Sequence, residues 1–289
     1  MLMMLRPMRV IAQQRFHRQL PAGNYSGICP LGNDLYAVVS DKENEDGFFV
    51  FRMKFDSEKG RITEAENLGY RSSGLPNRDM EGVCYVPSTN TVFISGENDN
   101  EVYEYTLDGK RTDRCLAMPP EYKTAQPNLG LEALTYDSTA HLFYTTTERP
   151  LPGEELLRIQ TFDDDLQPQR QYLYKPDEQI SRKYYHGVSE LLATGDGRLL
   201  VLERQMRIPR LKLGAKCIVS IYEVTPADST MLEKRLVTSF KTRLTLTGRK
   251  FANYEGMCQP IPGWLLLIAD SQGQYRGVIR DWFTMIKIE

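Results

Sequence analysis

Hydrophobic and polar positions along this chain alternate with a period of two, and no long stretch shows the period of a helix. Such alternation predicts β-strands whose two faces meet different environments. Five segments repeat one order of elements: a short apolar strand after a Ser or Glu, a turn, a β-rich strand, a polar loop and a third alternating strand. A fourth, weaker strand follows in most of them. The segments start at Tyr25, Met80, Leu131, Val188 and Tyr254.

Four-stranded units that recur every ~50 to 65 residues are the signature of a β-propeller. We therefore predict an all-β fold, a single propeller domain over residues 1–289 with five blades. Six blades is the alternative, if a long connection hides a degenerate unit. The fifth unit lacks its fourth strand, and "RVIAQQRFH" near the N-terminus reads as an unassigned strand. We expect this N-terminal strand, about residues 8–17, to complete the last blade, because closure removes a free sheet edge.

The residue that opens each unit carries candidate chemistry. In a propeller with this order of strands the first strand of each blade lines the central channel, so the equivalent positions converge near the axis. These positions are Ser26, Glu81, Glu132, Ser189 and Glu255. Three carboxylates held close together raise one another's pKa or bind a cation. Because every donor is an oxygen, we predict Ca²⁺ first and Mg²⁺ second. The alternative is that these side chains only cap neighbouring strands.

The loops that follow the second strands should lie on the same face as this ring. They contain Asp41, Glu97, Glu148 with Arg149, Glu203 with Arg204, and Asp270. His186, shortly before Ser189, belongs there too and is a candidate proton carrier. Arg149 and Arg204 are candidates to clamp an anion beside a metal, with Glu203 as a nearby acid. Alternatively, His186 is only a hydrogen-bonded loop residue. The charges of the basic loop around Arg207, Arg210 and Lys212 then pair with local acids.

Composition excludes several classes of protein. The net charge of −2 argues against a nucleic-acid binder, and no apolar run reaches the ~18 residues of a membrane span. The Met-rich start shows no complete signal peptide, which leaves export open. The 5 cysteines form no CxxC pair, so a zinc site of the usual spacing is not expected. Cys29, Cys84 and Cys258 occupy matching places and read as small buried thiols.

Three stretches carry a family resemblance: "NLGLEALTY", "GVSELLATGDGRLLVLER" and "NYEGMCQPIPGWLLLIADSQ". They resemble the phytase-like propeller family, described as having esterase-like activity of phytase, from about Tyr25 to the end of the chain. The resemblance implies a hydrolase of phosphate or other esters, in a family whose members are secreted or periplasmic. The order Ser, Glu, Glu, Ser, Glu around the ring is similar to the calcium site of calcium-activated apyrases. Dense acidic clusters of multi-calcium phytases are not evident.

Two hypotheses follow for function. The first is a Ca²⁺-dependent hydrolase of phosphate esters or related anionic esters, acting as a monomer on a small anionic substrate at the top face. The second is a non-catalytic propeller that binds a ligand or protein around a structural ion. Lactonase-like sugar chemistry is a third reading, by fold analogy alone. A serine nucleophile is disfavoured, because no GxSxG elbow surrounds Ser189.

Overall fold

Five antiparallel sheets make up the computed structural model, which describes residues 13–271, 273 and 277–288. Blade 1 contains β1 (Tyr25–Gly32), β2 (Leu35–Ser40), β3 (Glu45–Asp56) and β4 (Arg61–Pro76). Blade 2 contains β5 (Met80–Val86), β6 (Thr91–Gly96), β7 (Glu101–Thr106) and β8 (Arg111–Cys115). Blade 3 contains β9 (Leu131–Asp137), β10 (Leu142–Thr147), β11 (Leu157–Phe162) and β12 (Pro168–Tyr174).

The last two sheets complete the ring. Blade 4 contains β13 (Tyr185–Ala193), β14 (Leu199–Arg207), β15 (Lys216–Val224) and β16 (Arg235–Arg243). Blade 5 contains β17 (Asn253–Ile261), β18 (Trp264–Asp270) and β19 (Phe283–Lys287). One 3₁₀ helix, Pro120–Thr124, lies between blades 2 and 3. The prediction of a five-bladed propeller is confirmed, and the described chain contains no sixth sheet.

Tight turns connect the first two strands of each blade. In blade 1 the turn is Asn33-Asp34, with φ of 52° and 62°. Two successive positive φ values define the type I′ turn, which matches the twist of antiparallel strands and favours Asn and Asp. Each sheet therefore runs as a simple meander. First strands start at one end of the channel, called the top face here, and second strands return to it.

The hydrophobic core lies between neighbouring blades. Five clusters of buried side chains each draw on two adjacent sheets. The cluster that closes the ring joins blade 1 to blade 5, with Tyr25 and Phe51 packed against Leu266 and Phe283. The indole of Trp264 also donates a hydrogen bond to the carbonyl of Ser57, at 3.0 Å. Apolar packing between the first and last blades thus closes the ring.

The N-terminal segment reaches blade 5 where the sequence predicted. Gln14 and Phe283 exchange two backbone hydrogen bonds, of 2.8 and 3.0 Å. The Gln14 side chain also bonds to both backbone groups of Ile62 in blade 1. Residues 13–17 make this single bridge rather than a longer strand. The other part of the predicted strand, residues 8–12, lies outside the described residues.

A β-bulge occurs in every first strand, at the residue the repeat had singled out. The residue before it and the residue after it pair with consecutive residues of the second strand, so one residue is extra. The extra residues are Ser26, Glu132, Ser189 and Glu255, while in blade 2 Glu81 and Gly82 together face Ser95. A bulge re-aims a side chain out of the regular alternation. The five ring positions therefore share one backbone geometry.

The glycines that follow the ring residues allow first strands to approach each other closely. A Cβ added at Gly27 would lie 2.4 Å from the carbonyl oxygen of Glu81, and one at Gly82 would lie 2.6 Å from the backbone nitrogen of Leu134. Neither neighbour can move easily, because both are backbone atoms. The repeated "EG" and "SG" pairs thus combine a bulged channel residue with a narrow contact between blades.

Candidate functional site

The five predicted ring residues are all buried at the top of the channel, with relative exposures of 2% to 8%. First strands of neighbouring blades contact one another, which brings these positions around the axis. The two serines hold backbone groups: Ser26 donates to the carbonyl of Asn24 at 3.4 Å, and Ser189 to that of Tyr254 at 3.3 Å. The other three ring positions are glutamates, which bring negative charge to this end of the channel.

Arg204 at the end of β14 places a guanidinium among these carboxylates. Its Nη2 lies 3.1 Å from Glu132 and 3.4 Å from Glu148, and its Nη1 donates to Glu255 and, at 2.7 Å, to Asn253. These anions keep the pKa of Arg204 well above its usual range, although burial acts in the opposite direction. The protein thus supplies its own cation to one side of the ring.

Glu81 is left out of this network. Its side chain is 8% exposed, yet no described residue donates a hydrogen bond to its carboxylate or forms an ion pair with it. Burial, followed by the charges of Glu132 and Glu255, raises its pKa well above the usual range. A buried carboxylate without a partner is costly, so it takes up a proton or a cation.

A candidate cation site surrounds Glu81. Carboxylate oxygens of Asp41, Asp79 and Glu81 all lie within 4.8 Å of one another. Lys42 contacts Asp41 at 2.6 Å and Asp79 at 3.2 Å, but Oδ1 of Asp41 is buried and accepts no hydrogen bond from the part of the chain that the structure describes. Burial raises the pKa of Asp41 to about 6. The donors fit a hard cation such as Ca²⁺, since all are oxygens and one is unpartnered.

Asp79 is the residue of this cluster that the sequence analysis did not single out. It stands two residues before Glu81 in "RDMEG", and none of the other four ring positions has an acid at that place. An acid that occurs at this place in only one of the five units was the signal that could have identified Asp79. The proximity of Asp41, from the preceding blade, could only be inferred from its place after a second strand.

A cavity of about 360 Å³ opens beside Arg204 on the top face. Its lining combines the charged and polar residues Glu148, Arg204, Lys212, Asn253 and Glu255 with the largely apolar side chains of Tyr185, Met206 and Ile208. Burial raises the pKa of Glu148, and Arg204 and Arg149 only partly offset this effect. A carboxyl group with a raised pKa at a cavity wall is suited to carry protons near neutral pH.

The other predicted catalytic residues occupy different positions. Glu203 is buried against blade 3, where it accepts hydrogen bonds from Tyr174, from Lys234 at 2.7 Å and from the backbone of Asp177 at 2.8 Å. Arg149 donates from Nε to the carbonyl of His186 at 2.8 Å, which ties blade 3 to blade 4. Neither residue is among those that line the cavity, and their predicted catalytic roles stay predictions.

His186 is half-buried at the top of β13. Its Nδ1 is buried and has no hydrogen-bond partner among the described residues, and burial together with Arg149 lowers its pKa. The neighbouring Tyr185, not His186, contributes to the cavity wall. Gly187 follows, and a Cβ there would lie 2.5 Å from Cγ of Glu148. The "HGVS" stretch therefore makes room for Glu148, while a proton-carrying role for His186 stays a prediction.

The opposite end of the channel holds a buried acid that the sequence analysis missed. Glu190 occupies the place of Gly27, Gly82, Ala133 and Gly256 in the other blades, and its carboxylate accepts the backbone N–H of Leu191 at 2.9 Å and of Leu134 at 3.3 Å. Burial outweighs these bonds and raises its pKa well above the usual range. Cys29, Cys84 and Cys258 line the same end as buried free thiols, as predicted.

The phytase-like family, described as esterase-like activity of phytase, matches residues 20–271. A comparison with curated protein sequences finds no match. No helix in the described part of the chain is long and apolar enough to cross a membrane.

Solved structures with a similar architecture share little sequence with this chain. A streptogramin B lyase is 11% identical, with 98% of each chain covered and a TM-score of 0.44. The PQQ-bound aldose sugar dehydrogenase from Streptomyces coelicolor is 12% identical, with 98% of each chain covered and a TM-score of 0.46. A β-propeller domain from Myceliophteria thermophila is 12% identical over 98% of this chain and 100% of that chain, with a TM-score of 0.40.

Proposed function

Because this chain belongs to the phytase-like family, described as esterase-like activity of phytase, we propose that it hydrolyses phosphate esters or related anionic esters with the help of a bound Ca²⁺, or Mg²⁺ as second choice. The observation that carries the proposal is Glu81, a buried carboxylate to which no described residue donates a hydrogen bond, next to two further acids at the top of the channel. Substrate would enter the cavity on the same face, which Arg204 and Glu148 line.

Asp41, Asp79 and Glu81 are the residues that would hold the ion. The ring predicted from sequence also included Ser26, Glu132, Ser189 and Glu255. Arg204 already balances Glu132 and Glu255, so we assign the ion to the side of the ring that this guanidinium leaves unpaired. When bound, a divalent cation polarises a phosphoryl or carbonyl oxygen and helps to orient water.

Side chains of the cavity would supply the remaining chemistry. Glu148 takes a proton from the attacking water and returns it to the oxygen of the leaving alcohol, since its raised pKa suits both steps. Arg204 keeps Glu132, Glu148 and Glu255 in place and makes the cavity wall less negative for an anionic ester. Tyr185, Met206 and Ile208 provide an apolar wall for the alcohol or acyl part of the substrate.

A substrate panel tests this proposal. Phosphomonoesters, phosphodiesters, nucleotides and carboxylic esters are incubated with protein stripped by EDTA, with and without added Ca²⁺ or Mg²⁺. We expect metal-dependent release of product from at least one class, and a loss of about 10²-fold or more in Glu148→Gln. Glu154→Gln, an exchange outside the cavity, is the matched control. The proposal is wrong if every class shows only background turnover with either metal.

A non-catalytic propeller with a structural ion is the second candidate. The observation that favours it is the completeness of the Arg204 network, which satisfies three carboxylates without a substrate. In that case Ca²⁺ raises the melting temperature while the whole panel stays at background. A metal-dependent turnover that Glu148→Gln abolishes without changing the Ca²⁺-induced shift in melting temperature excludes this alternative.

A further inference from the structure

Three segments of blade 4 and its flanking connections form a surface on the top face, called the basic-apolar surface here: residues 179–187, 205–216 and 241–250. The strand register makes them neighbours, because Tyr185 pairs with Met206, Arg207 with Lys216, and Lys216 with Arg243. Leu244 and the 214–215 turn add two backbone hydrogen bonds, of 3.0 and 2.9 Å. The segments therefore make one continuous patch beside the cavity mouth.

The charge of this patch is one-sided. The three segments contain no Asp or Glu and ten basic residues, in a chain whose 36 basic and 38 acidic residues nearly cancel. These residues are Arg182, Lys183, Arg207, Arg210, Lys212, Lys216, Lys241, Arg243, Arg249 and Lys250. Apart from Lys212, none of them forms an ion pair with a described carboxylate. Arg207 and Arg210 therefore lack the ion pairs with described local acids that the sequence suggested, whereas Lys212 has an interaction of its own.

Large apolar side chains protrude among these cations. Of the eight large hydrophobic residues that are exposed in the described chain, five belong to this patch: Ile180, Tyr185, Leu211, Leu213 and Leu246. Leu211 and Leu246, each 88% exposed, are the most exposed of all eight. Leu211 stands between Arg210 and Lys212 at the tip of its loop. An apolar side chain at a loop tip can insert below the headgroups of an anionic membrane, while the flanking cations contact the headgroups.

We propose that the basic-apolar surface docks the protein onto an anionic phospholipid membrane, with Leu211 and Leu246 inserted below the headgroups and the surrounding Lys and Arg side chains at headgroup level. Charge complementarity favours an anionic lipid. The isolated leucines favour a membrane over a nucleic acid, because phosphates and bases offer no apolar layer into which leucines could insert. This inference does not depend on the proposed hydrolysis. It would bring the cavity mouth, lined by Tyr185, Ile208 and Lys212, close to the lipid surface.

Vesicle sedimentation of the full chain tests the docking. Vesicles of phosphatidylcholine alone are compared with vesicles containing about 30% phosphatidylserine, at low and at high salt. We expect binding to the anionic vesicles only, weakened by salt. Leu211→Ser with Leu246→Ser, and separately Arg210→Glu with Arg243→Glu, should each lower the partition coefficient about tenfold or more.

Matched controls lie at the opposite end of the sheets. Leu236→Ser removes a leucine that is 50% exposed near the start of β16, and Lys59→Glu with Lys110→Glu repeats the charge change in turns that follow third strands. Each control should bind as the wild type does. Absence of binding to anionic vesicles overturns the proposal. Binding that the leucine exchanges leave unchanged, or equal binding to heparin, also overturns it and indicates a surface for soluble polyanions or acidic proteins.

Discussion

Arg204 is the residue that allows several buried acids to share the top of the channel. Its guanidinium contacts Glu132, Glu148 and Glu255, all three of which are buried or nearly so. Removal of one partner from a buried ionic network leaves uncompensated charge, which costs more than an exposed ion pair contributes. The sequence placed Arg204 on the correct face, but its partners come from blades 3 and 5, and such contacts depend on the angles between blades.

Replacement of Arg204 should therefore destabilise the fold strongly. We expect Arg204→Gln to lower the free energy of unfolding by about 3–5 kcal/mol, measured by urea denaturation at neutral pH. Arg52→Gln is the matched control, because Arg52 pairs with Glu66 at 2.7 Å on an exposed surface. Its effect should stay below about 1 kcal/mol. Equal effects of the two exchanges would show that the network at the axis contributes little.

Raised carboxyl pKa values predict how stability depends on pH. Burial raises the pKa of Glu97 from the ordinary 4.5 to about 7. Between these values the folded protein binds more protons than the unfolded chain, so stability falls as pH rises from about 5 to about 8. Melting curves in EDTA should show this fall, and Glu97→Gln should reduce it. Glu66→Gln, an exposed exchange, should leave the curve unchanged, and a melting temperature that rises across this window would contradict the assignment.

The bulged first strand is the element that connects the repeat to the site. Its position was readable as a Ser or Glu before a small residue, and the structure gives all five copies the same irregular register. The repeat therefore predicted the fold and the ring. It did not predict Asp79 or Glu190, because each is a departure of one blade from the common pattern. The contacts of Asp79 and Glu190 depend on how neighbouring first strands pack, which the repeat does not show.

The close approach of first strands predicts a sharp effect of a single methyl group. Gly82→Ala should lower the free energy of unfolding by about 1–3 kcal/mol or more, because the new Cβ would meet backbone atoms of blade 3. Gly248→Ala is the control, since its Cβ would lie 3.1 Å from a Thr245 side chain in an exposed turn. Thermal melting of both variants checks the difference. An effect of Gly82→Ala no larger than that of the control would mean that the strands can separate at no cost.

At the scale of the whole molecule, the propeller depends on the contact between its first and last blades. Trp264 lies in this contact, where its ring fills the space beside Gly60 and packs with the cluster of blades 1 and 5. The sequence left the number of blades open between five and six, because a degenerate blade cannot be excluded from strand patterns. The five sheets remove that ambiguity.

Weakening this contact should destabilise the entire ring. We expect Trp264→Ala to cost about 3–5 kcal/mol and to leave one cooperative unfolding transition, as required of a single domain. Calorimetry and near-ultraviolet circular dichroism measure the transition together. Two separate transitions would indicate that the blades form independent units and would contradict the prediction of one domain.

Calcium titration by calorimetry tests the central claim most directly, namely that Glu81 and its two acidic neighbours, Asp41 and Asp79, form a cation site. Protein stripped with EDTA should bind Ca²⁺, and both Glu81→Gln and Asp79→Asn should abolish or greatly weaken binding. Asp196 lies on an exposed turn at the end of blade 4 opposite the top face, so Asp196→Asn should bind Ca²⁺ as the wild type does. No binding by the wild type, or equal binding by all four proteins, would contradict the account.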